Sequence, residues 1–514
     1  MFDHWLKLPA HLYLRLTALL ILTVGIAVSN VLMSIGTIWI ISNWILELDF
    51  KTKWVRLKNN KSIWVIIFLY FLFVLSLFWS ENVAYGFHDL RIKLPFIVIP
   101  LVLASSTPIQ KNHRTYLSYI FIGIVCYTSL YNFIRYNYFL DFTDDIRQMS
   151  TFISHVRFSI LVNLAFFIVL YCVYKKRLNR FLGLAIVCWL FFYLFKSQIV
   201  NGYLLFLVLS IYSIVFLIYH LKNRVLKWFL LFASLSFVLV VCIVGINTVK
   251  SIKSPVQIDF NTLETYSPDG NEYYHDTLST QAENGNLIWL YFSEIELRES
   301  WNKRAAIKYD SLDNKQQRIY GTLIRYLTSK GMRKDIGGVE ALTDEDVKRI
   351  ENGQTAYDVN NGINTKLVSF VQEYEMYTLK GDPNGYSILQ RLEHFKAAKR
   401  LVQSVGVFGV GIGDVDDAFK AEYQKMQSKL LLENQHRAHN QFLTIWITLG
   451  IVGLSLFIAI FILPLFEIKK KNYIFLLSLF TLAFSCIFQD LIETQAGVTM
   501  FALVYGMTVY REED

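Results

Sequence analysis

Three short runs hold side chains whose types and positions could do chemistry. In Arg437-Ala438-His439-Asn440-Gln441-Phe442-Leu443, an imidazole stands just ahead of an apolar stretch that contains Gly450-Ile451-Val452-Gly453. An imidazole titrates near neutrality, so at a water–lipid boundary His439 suits proton transfer. It equally suits an interfacial histidine satisfied by hydrogen bonds, since one histidine fixes no reaction. In Ser154-His155-Val156-Arg157-Phe158-Ser159, Arg157 opens another apolar run. A guanidinium there must snorkel to headgroups or face inward, where its planar fork suits a phosphate. Arg391, in Ser387-Ile388-Leu389-Gln390-Arg391-Leu392-Glu393-His394, lies ahead of the glycine-rich Val407–Asp414 run. In isolation a solvated helical arginine is its plainer reading.

The Gly406–Asp414 stretch is not a nucleotide loop, because no Lys-Ser/Thr follows and no strand–helix unit frames it. Its glycines point to close backbone packing or to approach by a lipid-linked ligand. Asp414, Asp416 and Asp417 read as a charged turn; they lack the full ligand spacing of a cation loop. The five cysteines all lie in apolar segments with no metal-ligand spacing, which excludes a disulfide framework and a thiolate metal site.

The elements that must position these groups are membrane helices. Of 514 residues, 54% are hydrophobic and only 18% charged, and the net charge is +9. Soluble domains carry about 25% charged residues. Residues 1–247 hold only 8 of the 41 acidic residues. The basic residues cluster between apolar runs, so the charge speaks for membrane loops and against nucleic acid. At about 20 residues per crossing, twelve spans are expected, near 14–29, 31–48, 62–79, 92–106, 115–135, 155–174, 180–197, 200–220, 227–247, 440–465, 472–489 and 494–511.

Loop charge orients them. Every even-numbered loop is basic, beginning with Lys51, Lys53, Arg56, Lys58 and Lys61 after the second span. The odd-numbered short loops carry acids: Glu81 and Asp89, then Asp141, Asp144 and Asp145, then Asp490 and Glu493. The positive-inside rule then puts both termini in the cytoplasm. Three parts follow: a membrane domain of nine spans at 1–247, a polar extracytoplasmic domain at 248–436, and three further spans at 437–514. In the polar domain, 270–293 reads as extended around an Asn284-Gly285 turn. Helices are expected at Glu294–Ile307, Asn314–Ser329, from Thr343 with a capping box to Asp346, and at about 364–379 and 386–405.

The order of these features resembles the O-antigen ligase and polymerase superfamily. It consists of many spans, an arginine in one of them, a large late outer segment, a second arginine before a glycine-rich turn, and His-Asn-x-Phe-Leu entering a span with Gly-x-x-Gly. The ending Asp490-Leu491-Ile492-Glu493-Thr494-Gln495-Ala496-Gly497 and the stretches Glu294–Arg304 and Leu323–Lys330 fit as well. The resemblance covers most of the chain, from about Ser80.

The resemblance implies an all-α polytopic membrane fold of the C-type glycosyltransferase kind, in the bacterial inner membrane, with 248–436 periplasmic. It implies transfer of a glycan from undecaprenyl diphosphate to an acceptor sugar. In ligases that acceptor is the lipid A core; in polymerases it is another lipid-linked repeat. No cofactor is implied and, for ligases, no metal. His439 corresponds to the catalytic base, and Arg157 and Arg391 to the diphosphate-binding arginines. Arg437 is an additional phosphate contact, and Asn440 belongs to the motif. A transporter or sensor is the remaining alternative, but the sequence has no paired halves of the kind transporters show.

Overall fold

The computed structural model describes residues 2–139, 146–221, 259–279, 282–283, 286–314, 317–357, 381–384, 387–469 and 471–511, with single positions at 223, 225, 227, 228 and 377. The Asn284-Gly285 turn, the acidic loop at 141–145 and nearly all of the expected span 227–247 and helix 364–379 lie outside the described residues.

Helices dominate. In chain order they are α1 (Phe2–Val28), α2 (Asn30–Leu46), α3 (Phe50–Asn59), α4 (Lys61–Leu75), α5 (Val83–Ser105), α6 (Lys111–Tyr138), α7 (His155–Tyr174), α8 (Arg180–Lys196) and α9 (Val200–His220). Four short helices follow: α10 (Glu294–Arg304), α11 (Ile319–Ser329), α12 (Ile336–Glu340) and α13 (Asp344–Glu351). The chain ends with α14 (Ser387–Ser404), α15 (Val415–Lys425), α16 (Gln441–Glu467), α17 (Tyr473–Phe488) and α18 (Gln495–Val509). Six of the described helices are long and apolar enough to cross a membrane, or seven if the bent pair α2–α3 forms one span. The apolar helices α17 and α18 are shorter. Large apolar side chains such as Phe71, Phe181, Leu184 and Phe466 are exposed on these helices, as a lipid-facing surface requires. This is an all-α membrane protein.

Local chemistry explains the helix limits. Ser29 separates α1 from α2 and caps α2 by accepting from Leu32 N–H at 3.3 Å. A Cβ at Gly25 would lie 2.9 Å from the Met33 nitrogen, so glycine lets the two helices meet closely. Two expectations change here. The basic stretch after the second span is helix α3, not a loop, and it turns 114° from α2. Asp49 caps it by accepting from Thr52 N–H at 3.4 Å, and Lys53 pairs with Glu47 at 3.1 Å. The helix of the fourth expected span, 92–106, begins earlier, at Val83, where Asn82 caps α5 by accepting from Tyr85 N–H at 3.1 Å.

The chain forms two compact units. One comprises Met1–Leu140, Asp145–Leu230 and Pro383–Asp514; the other comprises Asp141–Asp144 and Leu231–Asp382. The expected outer segment 248–436 is thus divided between the units, since α14 and α15 bury Ala397, Ala398, Val415 and Phe419 in one core with Ile447 of α16. In the second unit, α10, α11 and α13 enclose Leu297, Trp301, Leu323, Tyr326 and Ile350. Its α13 opens with the expected capping box: Thr343 Oγ accepts from Asp346 N–H at 3.2 Å, and Asp346 accepts from Thr343 N–H at 2.8 Å. The described residues 314, 317 and 318 are not helical, and an antiparallel bridge pairs Leu312 with Arg318.

Candidate active site

The entry of α16 organises the site. Asn440 is its N-cap, its side-chain oxygen accepting from Leu443 N–H at 3.1 Å. Capping satisfies one of the orphan donors of the first turn. Just before it, His439 has φ 50°, in the left-handed region, a conformation non-glycine residues hold only when the surroundings impose it. Asp490 supplies that restraint. Its Oδ2 accepts from the His439 backbone N–H at 2.8 Å, and its Oδ1 accepts from the Thr444 hydroxyl at 2.6 Å. Burial pushes the Asp490 carboxyl up to about 6, against the Thr444 bond that favours its charge.

Two further imidazoles face His439. Its ring centroid is 5.2 Å from that of His394 and 6.0 Å from that of His436. The three do not make a metal-holding group, nor does any other set among the described residues. His394, on α14, is 1% exposed. Its Nε2 donates to the Asn434 carbonyl at 2.9 Å, so in the neutral ring Nδ1 carries the lone pair. That Nδ1 is buried without a partner among the described residues. Burial holds His394 down to about 4, and holds His439 down to about 3, where His394, Arg391 and His436 add to the effect. Both rings are therefore neutral at physiological pH.

Arg391 lies one turn before His394 on α14. Its guanidinium donates to the Asn201 side-chain oxygen at 3.2 Å, at the start of α9. Among the described residues no carboxylate stands at ion-pair distance from it. Burial lowers its pKa, and Asp490 acts in the opposite sense. A half-buried guanidinium beside an amide has the chemistry to bind an anion.

Arg157 is placed apart from this cluster. It lies in the first turn of α7 and lines a cavity of about 370 Å³ with Asn30, Ser150, Thr151, His155 and Ala496. Its Nε is buried without a hydrogen-bond partner among the described residues. The structure brings Arg391 and His439 together; neither lines the Arg157 cavity. The connection is indirect. Asn163 of α7 donates to the Gly202 carbonyl at 3.2 Å, beside Asn201.

All three guanidinium nitrogens of Arg437 have partners. Its Nε donates to Asp416 at 2.6 Å, one terminal nitrogen to Glu493 at 2.5 Å and the other to the Tyr85 hydroxyl at 2.8 Å. Glu493 also accepts from Lys93 at 2.6 Å and from Gln441 at 2.7 Å, and Lys93 pairs with Asp89 at 2.8 Å. Burial alone would raise Glu493; Lys93 and Arg437 bring it down to about 2. This network fastens α5, α15 and the α17–α18 turn around the mouth of α16.

The glycine-rich run serves close packing, one of its two expected uses. Gly450 has φ 66° and breaks α16 in mid-span. The backbone there is met by the loop: Val410 and Gly411 N–H donate to the Ile447 and Thr448 carbonyls, each at 2.9 Å. A Cβ on Gly450 would sit 1.8 Å from the Val407 oxygen, and one on Gly409 2.5 Å from the Thr448 backbone. Asp414 closes the loop by accepting from Glu81 and Asn82 N–H, both at 2.8 Å. Broken backbone inside a membrane protein persists only when protein satisfies it.

Residues 356–458 match the family model described as O-antigen ligase. The matched stretch carries Arg391, His394, the glycine loop, Arg437, His439, Asn440 and the α16 break. The match covers about a fifth of the chain, and over that segment the chain is similar to the O-antigen ligase family. No curated protein matches the chain. The long apolar helices fit a multi-pass membrane protein.

Two residues in or near the matched segment carried no assigned role in the sequence. Asp490 read only as an acid in a short loop; its placement between two apolar runs was the available signal. His394 read as the tail of the arginine motif; its spacing of three from Arg391, which puts both near one helix face, was the signal there.

Proposed function

We propose that the protein is an O-antigen ligase that moves a glycan from undecaprenyl diphosphate to a sugar hydroxyl of the lipid A core. The reaction is placed at the periplasmic face of the inner membrane, with both termini cytoplasmic and 248–436 outside; the alternation of basic and acidic loops supports that orientation. The observation that carries the reading is one cluster holding a neutral imidazole in an imposed conformation, His439, beside an anion-ready guanidinium, Arg391.

In this scheme Arg391 holds the donor diphosphate, and Arg157 takes part of the donor from its own cavity at the start of α7. His439 takes the proton of the acceptor hydroxyl as that oxygen attacks the anomeric carbon. The bond from that carbon to the diphosphate oxygen breaks, and its electron pair leaves with undecaprenyl diphosphate. Arg391 stabilises the developing charge, a contribution of several kcal/mol in a water-poor site. Direct displacement inverts the anomeric centre, and no metal takes part. A base whose conjugate acid sits near 3 is weak in the empty site. A bound diphosphate offsets the Arg391 charge and lifts the imidazole toward the range where general bases work. Arg437 and Asn440 act by position, fastening and capping the segment that presents His439.

The test offers purified lipid-linked donor and reconstituted protein two acceptors side by side, lipid A core and a second lipid-linked repeat. Transfer to the core alone is expected. Elongation on the carrier with a bare core would instead make the protein a polymerase.

A further inference from the structure

A buried imidazole stands beside His439 with one nitrogen unmet. His394 is 1% exposed. Its Nε2 donates to the Asn434 carbonyl at 2.9 Å, which leaves Nδ1 an acceptor with no partner among the described residues. An unmet acceptor in the interior costs stability, so it calls for an explanation. Three rings lie near it. The Tyr423 ring centroid is 6.2 Å away, but its hydroxyl is engaged, donating to the His436 carbonyl at 2.7 Å. The His436 ring is at 5.9 Å and belongs to an exposed residue. The His439 ring is nearest of the three, at 5.2 Å. The charged neighbours have their own partners: Arg391 donates to Asn201 at 3.2 Å, and Glu393 takes Lys396 at 2.8 Å and the Ser428 hydroxyl at 3.0 Å.

His439 lacks what His394 offers. Asp490 holds its backbone N–H at 2.8 Å, but among the described residues no hydrogen bond holds its ring. A base must present a lone pair, so its own proton must sit on the other ring nitrogen. Which nitrogen carries that proton is set by the hydrogen bond it makes. Hydrogen bonds of this kind often close only when substrate is bound. We propose that His394 is the positioning residue of the base: its Nδ1 accepts from one ring N–H of His439, so the other nitrogen of His439 meets the acceptor hydroxyl. This rests on the reading of His439 as the base. When His439 takes the hydroxyl proton it becomes an imidazolium with an N–H on each nitrogen. One donates to His394 Nδ1, which spreads the new charge over that hydrogen bond. The other carries the transferred proton, which leaves to solvent after the product. His394 acts by accepting the hydrogen bond; no covalent bond to it is made or broken.

The test uses the full-length protein, reconstituted with purified undecaprenyl-diphosphate glycan and with lipid A core and a second lipid-linked repeat offered together. It reads kcat, donor KM and Tm. Glutamine at 394 keeps a nitrogen where Nε2 stands and has nothing at Nδ1. Asparagine offers an oxygen at the Nδ1 place and cannot reach the Asn434 carbonyl. A merely structural His394 would suffer more from asparagine, and the positioning role predicts the reverse. His394→Gln should hold Tm and donor KM but lose kcat about 10- to 100-fold, the range known for partners that orient a working histidine. His394→Asn should lower Tm yet keep more kcat than His394→Gln. In a His439→Ala background, His394→Gln should cost nothing further, since the two residues act as one unit. Three results would each overturn the positioning role while leaving His439 as the base: parental kcat in His394→Gln, a kcat loss in His394→Asn as large as in His394→Gln, or an undiminished effect of His394→Gln without His439. Near-parental turnover in His439→Ala would instead remove the base itself, and this inference with it.

Discussion

The carboxylate of Asp490 holds the backbone of His439: Oδ2 accepts the His439 N–H at 2.8 Å while Oδ1 accepts the Thr444 hydroxyl at 2.6 Å, across the first turn of α16. One side chain from the α17–α18 turn thereby fixes both sides of the capping residue Asn440 and keeps His439 at φ 50°.

That arrangement favours chemistry over stability. The Asp490 carboxyl is raised to about 6, chiefly by burial. A carboxyl raised in the folded state binds its proton more tightly there than when unfolded, so folding stability falls as pH rises from about 4 through 6. Asp490→Asn keeps the shape and removes the charge. It is expected to raise Tm at pH 7.5, with the difference from the parent vanishing near pH 4, while kcat for glycan transfer falls about 10- to 100-fold at little change in KM. Thermal unfolding across pH and steady-state kinetics check both halves. A drop in Tm at pH 7.5 would refute this account of Asp490.

Gly450 is expected to tolerate no side chain. Its φ is 66°, and a Cβ would fall 1.8 Å from the Val407 oxygen. Gly450→Ala must push apart the glycine loop and the broken helix, breaking the bonds of Val410 and Gly411 to the α16 carbonyls. A loss of about 3 kcal/mol or more follows from strain and unmet backbone groups. Thermal unfolding in detergent reads it; a Tm unchanged within a degree would contradict the packing role.

Arg437 separates a positioning role from a phosphate contact. Its pair with Glu493 is largely buried and its pair with Asp416 only half-buried, and breaking one partner of a buried pair costs about 3–5 kcal/mol. Arg437→Gln should therefore lower Tm strongly. A variant that folds normally and only binds donor more weakly would restore Arg437 as a direct ligand.

The pH profile should separate free and loaded enzyme. With His439 near 3 and His394 near 4 in the empty site, kcat/KM should show no acid limb at the ordinary histidine value of about 6.5. The kcat profile, which reports the loaded enzyme, should show its acid limb at higher pH, since the bound diphosphate offsets Arg391. Coincident limbs near 6.5 would contradict the described environment.

Much of the fold was legible because hydrophobic runs and capping residues are local signals. The breaks at Ser29 and Thr343 are examples. The helical form of 50–59 was missed because its basic residues outweighed the Asp49 cap in the reading. The grouping of α14 and α15 with the apolar helices was missed because it depends on the glycine loop folding back onto the break at Gly450, a contact between distant residues. In the site, His439 and Arg391 were legible as motif residues. His394 and Asp490 were not, since each meets His439 from about 50 residues away and no spacing rule reaches that far.

The most direct measurement is transfer from a purified undecaprenyl-diphosphate glycan by reconstituted His439→Ala and Arg391→Ala proteins, with donor binding read in parallel. The account predicts that His439→Ala binds donor normally and loses turnover by about 10²- to 10⁴-fold, while Arg391→Ala loses both. Near-normal turnover in either variant, with the protein correctly inserted, would contradict it.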